Sequence, residues 1–405
     1  MNTSENQKYD KPDEMVIARK IQCAMIPKTF PLVEEVDIAS LYIPSEKIGG
    51  DIFDVVQLNK DIFAFFILDV ASHGISAALI SSLAKVLFLN HIRLVNSPRV
   101  VVERVNKEIL ENISNGYYHI TAFLGYLDLH DNKLTYCNSG HPYPIVFRGK
   151  QQKLEHLKSN SCCLGLFENT SFEEDRIYLN SGDWLLLFSD GFYKFFNGSN
   201  ELECRKNLEK YICINAPKTS AKELIKKIQD TNSQLQSTTK SFDDDISLIA
   251  FSFLTQSRKN QLKEKLGFNV DDPVYLQFIS YFEEMDRATA VILSSMDSLG
   301  YPDESIRKMK IILTELFANA IYHGNKGDHS KKVIVGHTID KNKVVISIMD
   351  EGDGFDPSSV PDPTLPENLI RDCGRGIYIV KSYADKLEFN EKGNRVTITK
   401  YHVTK

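Results

Sequence analysis

Apolar and polar positions change period several times along the chain, and each change predicts an element. Val16, Ile17, Ile21, Met25 and Ile26 recur at helical spacing, so Asp13–Met25 reads as a helix that Pro27 and Pro31 stop. From Asp37 the pattern is strand-like over Ile38–Ile43, Ile52–Leu58 and Ile62–Val70, with Asn59-Lys60-Asp61 as a turn. Ile75–Val95 and Arg99–Ile113 read as helices. Strands return at Thr121–Leu129, Lys133–Asn138, Ile145–Arg148, Arg176–Leu179 and Trp184–Ser189. A helix, Ala221–Leu235, and an apolar strand, Ile246–Leu254, follow. Strands, a helical pair and more strands predict an α+β sandwich rather than a regular βαβ repeat.

The charged stretch Gln256–Lys265 has little apolar content and reads as a linker. Beyond it, Tyr275–Leu299 and Asp303–His323 read as helices separated by Gly300 and Pro302. Val333–Ile339 and Lys343–Met349 read as a hairpin, and a loop rich in Gly, Asp and Pro spans Asp350–Pro366. Helix Gly376–Asp385 and strands Leu387–Asn390 and Arg395–Tyr401 close the chain. The expected organisation is a tail and regulatory helix over 1–30, a first domain over 31–254, a linker over 255–265 and a second domain over 266–405. Residues 1–12 are polar and read as disordered.

Composition narrows the class. The 405 residues are 42% hydrophobic and 25% charged, which is ordinary for a folded globular chain. A net charge of -6 provides no basic excess for a phosphate backbone, so nucleic acid is disfavoured as a partner. The longest apolar run, Ile62–Leu68, is far short of the roughly 20 residues that span a bilayer. The polar, acidic N-terminus does not read as a signal peptide. Seven cysteines without a CxxC read as reduced thiols, so a cytoplasmic location is expected and no membrane partner.

Aspartates recur where strands begin or end. Asp51 follows Gly49-Gly50 and opens a strand; Asp69 ends Ile62–Leu68; Asp190 ends Trp184–Phe188; Asp244 lies in Asp243-Asp244-Asp245 before the last strand of the first domain. A carboxylate at the end of a buried strand is costly unless satisfied. Converging carboxylates suit hard cations such as Mg²⁺ or Mn²⁺. The plainer reading of each Asp alone is a turn or strand cap. His73 and His141, each in a Gly-containing loop, read as loop organisers rather than catalysts.

Around these aspartates the chain resembles the SpoIIE/RsbU-type phosphatases of the metal-dependent (PPM) class. The matching segments are IQCAMIP at 21–27, GGDIFD at 49–54, DVASHGISAA at 69–78, NSGHP at 138–142, GDWLLLFSDG at 182–191 and DDIS at 244–247. The resemblance implies a β-sandwich flanked by helices, with two Mn²⁺ or Mg²⁺ ions between the sheets. It makes Asp51, Asp69, Asp190 and Asp244 the carboxylate ligands and the Val70 carbonyl a further one, with Asp245 a weaker candidate. Ser72 stands where the family commonly has glycine, and Lys194 at a frequently acidic position. Both bear on loop geometry and substrate fit. The resemblance also gives the first helix a part in regulation or dimerisation.

In the second domain Glu315, Asn319 and His323 are spaced i, i+4, i+8 and share a helix face. A polar stripe on an otherwise apolar helix is either a solvated face or the wall of a cleft. Asp350 leads into a glycine-rich loop, and Cys373-Gly374-Arg375-Gly376 opens a helix, where free N–H groups favour phosphate. ELFANAIYHGN, DEGDGFDP, GRGIYIVKSYADKLEF and NRVTITKY resemble, in order, the boxes of the GHKL (Bergerat) α/β sandwich ATPases, most closely the anti-sigma-factor serine kinases of RsbW/SpoIIAB type. The resemblance implies ATP with Mg²⁺. Asn319 would bind the Mg²⁺, Asp350 the adenine amino group and Glu315 would be the general base. Gly352, Gly354, Gly374 and Gly376 would shape the lid and phosphate contacts, with Arg375 a further phosphate contact.

Together the resemblances imply a bifunctional regulatory enzyme, a protein serine/threonine phosphatase joined to a protein serine kinase. The implied partners are STAS-type anti-sigma-factor antagonists, a sigma factor downstream and a second copy of the chain. Two alternatives stand beside this: a second domain that binds nucleotide or protein and gates the phosphatase without transferring phosphate, and a first domain that hydrolyses a small phosphoester.

Overall fold

The computed structural model describes residues 13–27, 29–30, 33–59, 61–113, 118–159, 161–194, 196, 198–236, 244–328, 331–357 and 375–402. The expected tail 1–12 and Gly374 lie outside these residues. Two compact units emerge, one ending at Phe253 and the other starting at Leu254, apart from a short N-terminal stretch ending at Asp37 that groups with the second.

The first unit runs α1 (Glu14–Met25), β1 (Val36–Ile43), β2 (Ile52–Gln57), β3 (Ile62–Val70), α2 (Gly74–Ile92), α3 (Pro98–Asn112), β4 (Ile120–Asp128), β5 (Lys133–Ser139), β6 (Ile145–Arg148), β7 (Lys153–His156), β8 (Asp175–Tyr178), β9 (Trp184–Phe188), α4 (Asp190–Lys194), α5 (Glu201–Asn215), α6 (Ala221–Gln236) and β10 (Ile246–Phe253). Two five-stranded sheets form, ordered β1-β10-β9-β6-β7 and β2-β3-β4-β5-β8. β3 explains its own unbroken apolar run. Phe65 meets Phe251 of β10 with centroids 4.5 Å apart, while its neighbour Phe66 meets Phe88 of α2 at 5.0 Å. Successive side chains point to opposite faces, so a strand buried on both must be apolar throughout.

α2 is long and apolar enough to cross a membrane by length and composition, a feature the search for unbroken apolar runs misses. Ala77, Ala84, Phe88 and Ile92 of α2 are buried in this unit, and Lys85 on the same helix forms a buried ion pair with Asp54 at 2.6 Å.

The second unit contains α7 (Gln256–Lys265), β11 (Tyr275–Ile279), α8 (Phe282–Ser298), α9 (Asp303–Ala318), a π-helical turn Asn319–Gly324, β12 (Val333–Ile339), β13 (Lys343–Met349), α10 (Arg375–Tyr383), β14 (Lys386–Phe389) and β15 (Arg395–Tyr401). One antiparallel sheet, β11-β12-β13-β15-β14, carries α8, α9 and α10 on one face through Val333, Val335, Ile346 and Ile348. Alternate residues face the other way: Ile334 and Leu276 pack with Leu262 and Leu266.

Two sequence expectations are corrected here. The stretch read as a linker is helix α7, capped by Thr255, whose side chain accepts from the Arg258 N–H at 3.1 Å. Its buried Leu262, with Leu266 just beyond its end, anchors it in the second unit. Tyr275–Leu299 is not one helix. Its first five residues form β11, paired in register with β12, and the chain turns at Ser280 before α8.

Candidate active sites

In the first unit, antiparallel pairing gathers the aspartates. β2 and β3 pair Ile52 with Leu68, so Asp51 and Asp69 stand opposite each other one step further on. β9 and β10 pair Phe188 with Leu248, so Asp190 and Asp244 lie just beyond the neighbouring ends of two strands of the other sheet. Asp51 is fully buried and its Oδ2 has no partner. Its carboxyl is held well above the ordinary carboxylate range by burial, then by the charges of Asp69 and Asp245. Asp69 is pushed up to about 7 by burial, with Asp190, Asp244 and Asp245 adding to the effect. The Val70 carbonyl accepts from the Ser72 N–H at 2.6 Å and lies against Gly50, where a Cβ would come within 3.1 Å of it.

A buried carboxylate oxygen without a donor, surrounded by like charge, is the arrangement a divalent cation would satisfy. The donor set therefore fits the implied metal. It is not a finished shell: among the described residues, no three His, Cys, Asp or Glu side chains stand together at ligand distance. Two of the four carboxylates are engaged elsewhere, since Lys194 Nζ donates to Asp190 Oδ2 at 2.8 Å and to Asp244 Oδ2 at 2.9 Å.

Asp245, the weaker ligand candidate, has a structural occupation. Its Oδ1 accepts from the Ser45 N–H at 2.8 Å and its Oδ2 from the Gly50 N–H at 2.6 Å and the Asp51 N–H at 3.2 Å. It clamps the turn that presents Asp51. Gly49 has to be glycine there, because a Cβ would come within 2.0 Å of Asp245 Oδ2. Gln22 of α1 holds the same turn from the other side, donating to the Gly49 carbonyl at 2.6 Å and accepting from the Gly49 N–H at 3.0 Å. Pattern reading misses this contact, because Gln22 lies within a helix 27 residues away. His141 is buried, with Nδ1 3.0 Å from Thr121 Oγ1, and burial depresses its pKa to about 3. It is a neutral loop organiser, as its setting in NSGHP suggests, whereas the His73 side chain is largely exposed, 3.4 Å from Glu46 Oε1.

In the second unit a cavity of about 810 Å³ is lined by Glu315, Asn319 and His323 on one wall. Asp350, Gly354 and Gly376 line it as well, together with apolar Leu316, Ile348 and Val396. The helix carrying the polar stripe passes into its π-helical turn at Asn319, a local widening of the kind that recurs at functional sites. Asp350 directly follows β13 and is half-buried, and burial raises its carboxyl. Its Oδ1 accepts from the Gly352 N–H at 2.8 Å. Gly376 approaches Glu315 so closely that a Cβ would lie 2.4 Å from Oε2, and Gly354 takes φ +79°. Gly352 and Arg375 are not among the lining residues. Lys326, Asp353, Phe355 and Arg395 line the cavity without having been picked out from the sequence. Lys326 and Asp353 pair at 3.2 Å. The volume and mixed lining suit a nucleotide.

The first unit has the two-sheet architecture of PPM-type phosphatases, and the second the sheet-and-helix architecture of GHKL-type ATPases. Comparison with known proteins makes this specific: residues 59–254 match the Stage II sporulation protein E (SpoIIE) family, and residues 281–400 match the histidine kinase-like ATPase domain. The chain is 26% identical over 239 residues to phosphoserine phosphatase RsbU of Bacillus subtilis, covering 58% of this chain and 69% of RsbU. It is 30% identical over 188 residues to phosphoserine phosphatase RsbP of the same organism, covering 45% of this chain and 46% of RsbP. The C-terminal region is 26% identical over 110 residues to serine-protein kinase RsbW of Oceanobacillus iheyensis, covering 25% of this chain and 70% of RsbW. Among solved structures, the RsbU and RsbW domains of a Mycobacterium tuberculosis protein share the fold with a TM-score of 0.50 at 19% identity. That match covers 93% of this chain and 95% of the other. The SiaA-PP2C domain of Pseudomonas aeruginosa matches with a TM-score of 0.51 at 20% identity, over 60% of this chain and 96% of that domain.

Proposed function

We propose that the chain is a bifunctional cytoplasmic regulator: a Mn²⁺- or Mg²⁺-dependent phosphoserine/phosphothreonine protein phosphatase and an ATP-dependent protein serine kinase. Its substrates would be STAS-type anti-sigma-factor antagonists, in a partner-switching pathway with a sigma factor downstream. The observation that carries the reading is the pairing of two sites in one chain, converging aspartates around the partnerless Asp51 Oδ2 and a nucleotide-sized cavity holding Glu315, Asn319 and Asp350.

In the first domain Asp51, Asp69, Asp190, Asp244 and the Val70 carbonyl would hold the cations. Bound there, a divalent pair activates water and neutralises phosphoryl oxygens. The protein's own part is to bury Asp51 and to fix its turn through Asp245 and Gln22. In the second domain Asp350 would accept from the adenine amino group and Asn319 would ligate Mg²⁺. Glu315 would take the proton of the acceptor serine. Phosphoryl transfer depends chiefly on such positioning and charge neutralisation.

Opposed activities on one substrate would only consume ATP, so the two domains would be gated reciprocally or serve different proteins. A paired assay tests the reading. STAS proteins of the same genome are incubated with ATP and Mg²⁺, and their phosphoforms with Mn²⁺. Phosphate transfer in the first arm and release in the second are expected. Glu315→Gln should abolish transfer while ATP still binds. ATP binding with no transfer by the unaltered chain would leave the second domain as a non-catalytic gate.

A second copy of the chain is the proposed partner for α1 and α2. Ile75, Leu79, Leu83 and Val86 are exposed at helical spacing along α2, and Val16, Ile17 and Ile21 are exposed on α1. An apolar stripe of this kind is suited to helix association.

A further inference from the structure

Lys194 closes α4 four residues after Asp190, so the two side chains share one face of that turn. Its ammonium bridges the two strand ends of one sheet, reaching Asp190 Oδ2 at 2.8 Å and Asp244 Oδ2 at 2.9 Å. Among the described residues no cation pairs with Asp51 or Asp69 in this way, and Asp51 keeps an oxygen without a partner. The carboxylate cluster is thus divided into a deep, uncompensated pair and a shallower pair already neutralised by a resident cation.

We propose that Lys194 is a built-in competitor for the metal, its ammonium standing in for a divalent cation between Asp190 and Asp244. This rests on the phosphatase reading of the first domain. Mn²⁺ or Mg²⁺ fills the centre only by displacing Lys194, so the centre loads in two unequal steps. The Asp51–Asp69 side binds first, and the Asp190–Asp244 side binds when metal is abundant enough to expel the ammonium. Displacement is sterically open, because the Lys194 side chain is 48% exposed and four flexible carbons can swing its head into water. The device makes occupancy, and with it phosphatase output, depend on the free concentration of divalent cation. A fully acidic site would saturate early.

Mn²⁺ binding to the full-length chain without substrate, followed by calorimetry and by the electron paramagnetic resonance of free Mn²⁺, tests this. Lys194→Gln keeps the length and removes the charge. It should lower the dissociation constant of the weaker step at least tenfold. Lys194→Arg keeps the charge and should stay within about threefold of the unaltered chain. Thermal melts confirm that each variant is folded, and the Arg variant preserves the comparison if the Gln variant is not. Equal affinities in Lys194→Gln and the unaltered chain, or a gain in Lys194→Arg as large as in Lys194→Gln, would overturn the competitor role and leave the metal site standing. No Mn²⁺ binding by any of the three would remove both the competitor and the metal centre.

Discussion

Burial sets the charge state of His337. It lies on β12 beside Tyr275, with ring centroids 5.3 Å apart and no partner for Nδ1, and desolvation depresses its pKa to about 4. The unfolded chain binds this proton near pH 6.5, so between 6.5 and 4 the unfolded state holds more protons than the folded one. Stability therefore falls as pH drops through that window. At about 1.4 kcal/mol per unit, the loss at pH 5 is roughly 2 kcal/mol. Urea melts at pH 7 and pH 5 should show it, and His337→Phe should shrink it. In the first unit His141 acts in the same direction while the raised carboxyls of Asp51 and Asp69 oppose it, so the readout is the difference between the unaltered chain and His337→Phe. An unchanged slope in the variant would show that His337 is not the source. Residue identity alone did not reveal such environments. The second Asp of GGDIFD, Asp54, is paired with buried Lys85. Asp245 looks like a spare ligand and is a backbone clamp. Both roles depend on partners distant in sequence.

At the scale of elements, periodic segments were legible and short or doubly constrained ones were not. β3 is legible because burial on both faces leaves an unbroken apolar run over Ile62–Leu68. α7 was read as a linker because only Leu262 interrupts its charged surface, although that leucine and Leu266 fill a pocket with Val274 and Leu276. Leu262→Ala should therefore cost the second unit about 2–5 kcal/mol in urea melts, the range for emptying a packed leucine site. A free linker would show no change. β11 was read as the start of α8 because an apolar strand running into an apolar helix has no break in hydropathy; only its pairing with β12 separates them. The stripe on α1 and α2 makes a prediction of its own. Leu79→Lys should convert a dimer to a monomer in light scattering while the melting temperature changes little, since Leu79 is 68% exposed. A monomeric unaltered chain would refute the dimer.

For the whole molecule, the two-unit division and both candidate sites are carried by ordered motifs. Their physical legibility differs. The glycine boxes fix backbone approach, and the cavity follows from them: Gly376 against Glu315 and Gly354 at positive φ leave little alternative. The aspartates fix only where carboxylates gather. Their partition between a deep pair and a lysine-bridged pair could not be read from spacing, because Lys194 and Asp244 are 50 residues apart. The central claim is that Asp51, Asp69, Asp190 and Asp244 form a metal-dependent phosphoprotein phosphatase centre. It is tested most directly by phosphate release from a serine-phosphorylated STAS protein, without ATP, across a Mn²⁺ titration of the unaltered chain and Asp190→Asn. The account predicts release that rises with Mn²⁺ in the unaltered chain and falls at least a hundredfold in the variant, each Mn²⁺ ligand counting in the chemistry. Release independent of Mn²⁺, or undiminished in Asp190→Asn, would contradict it.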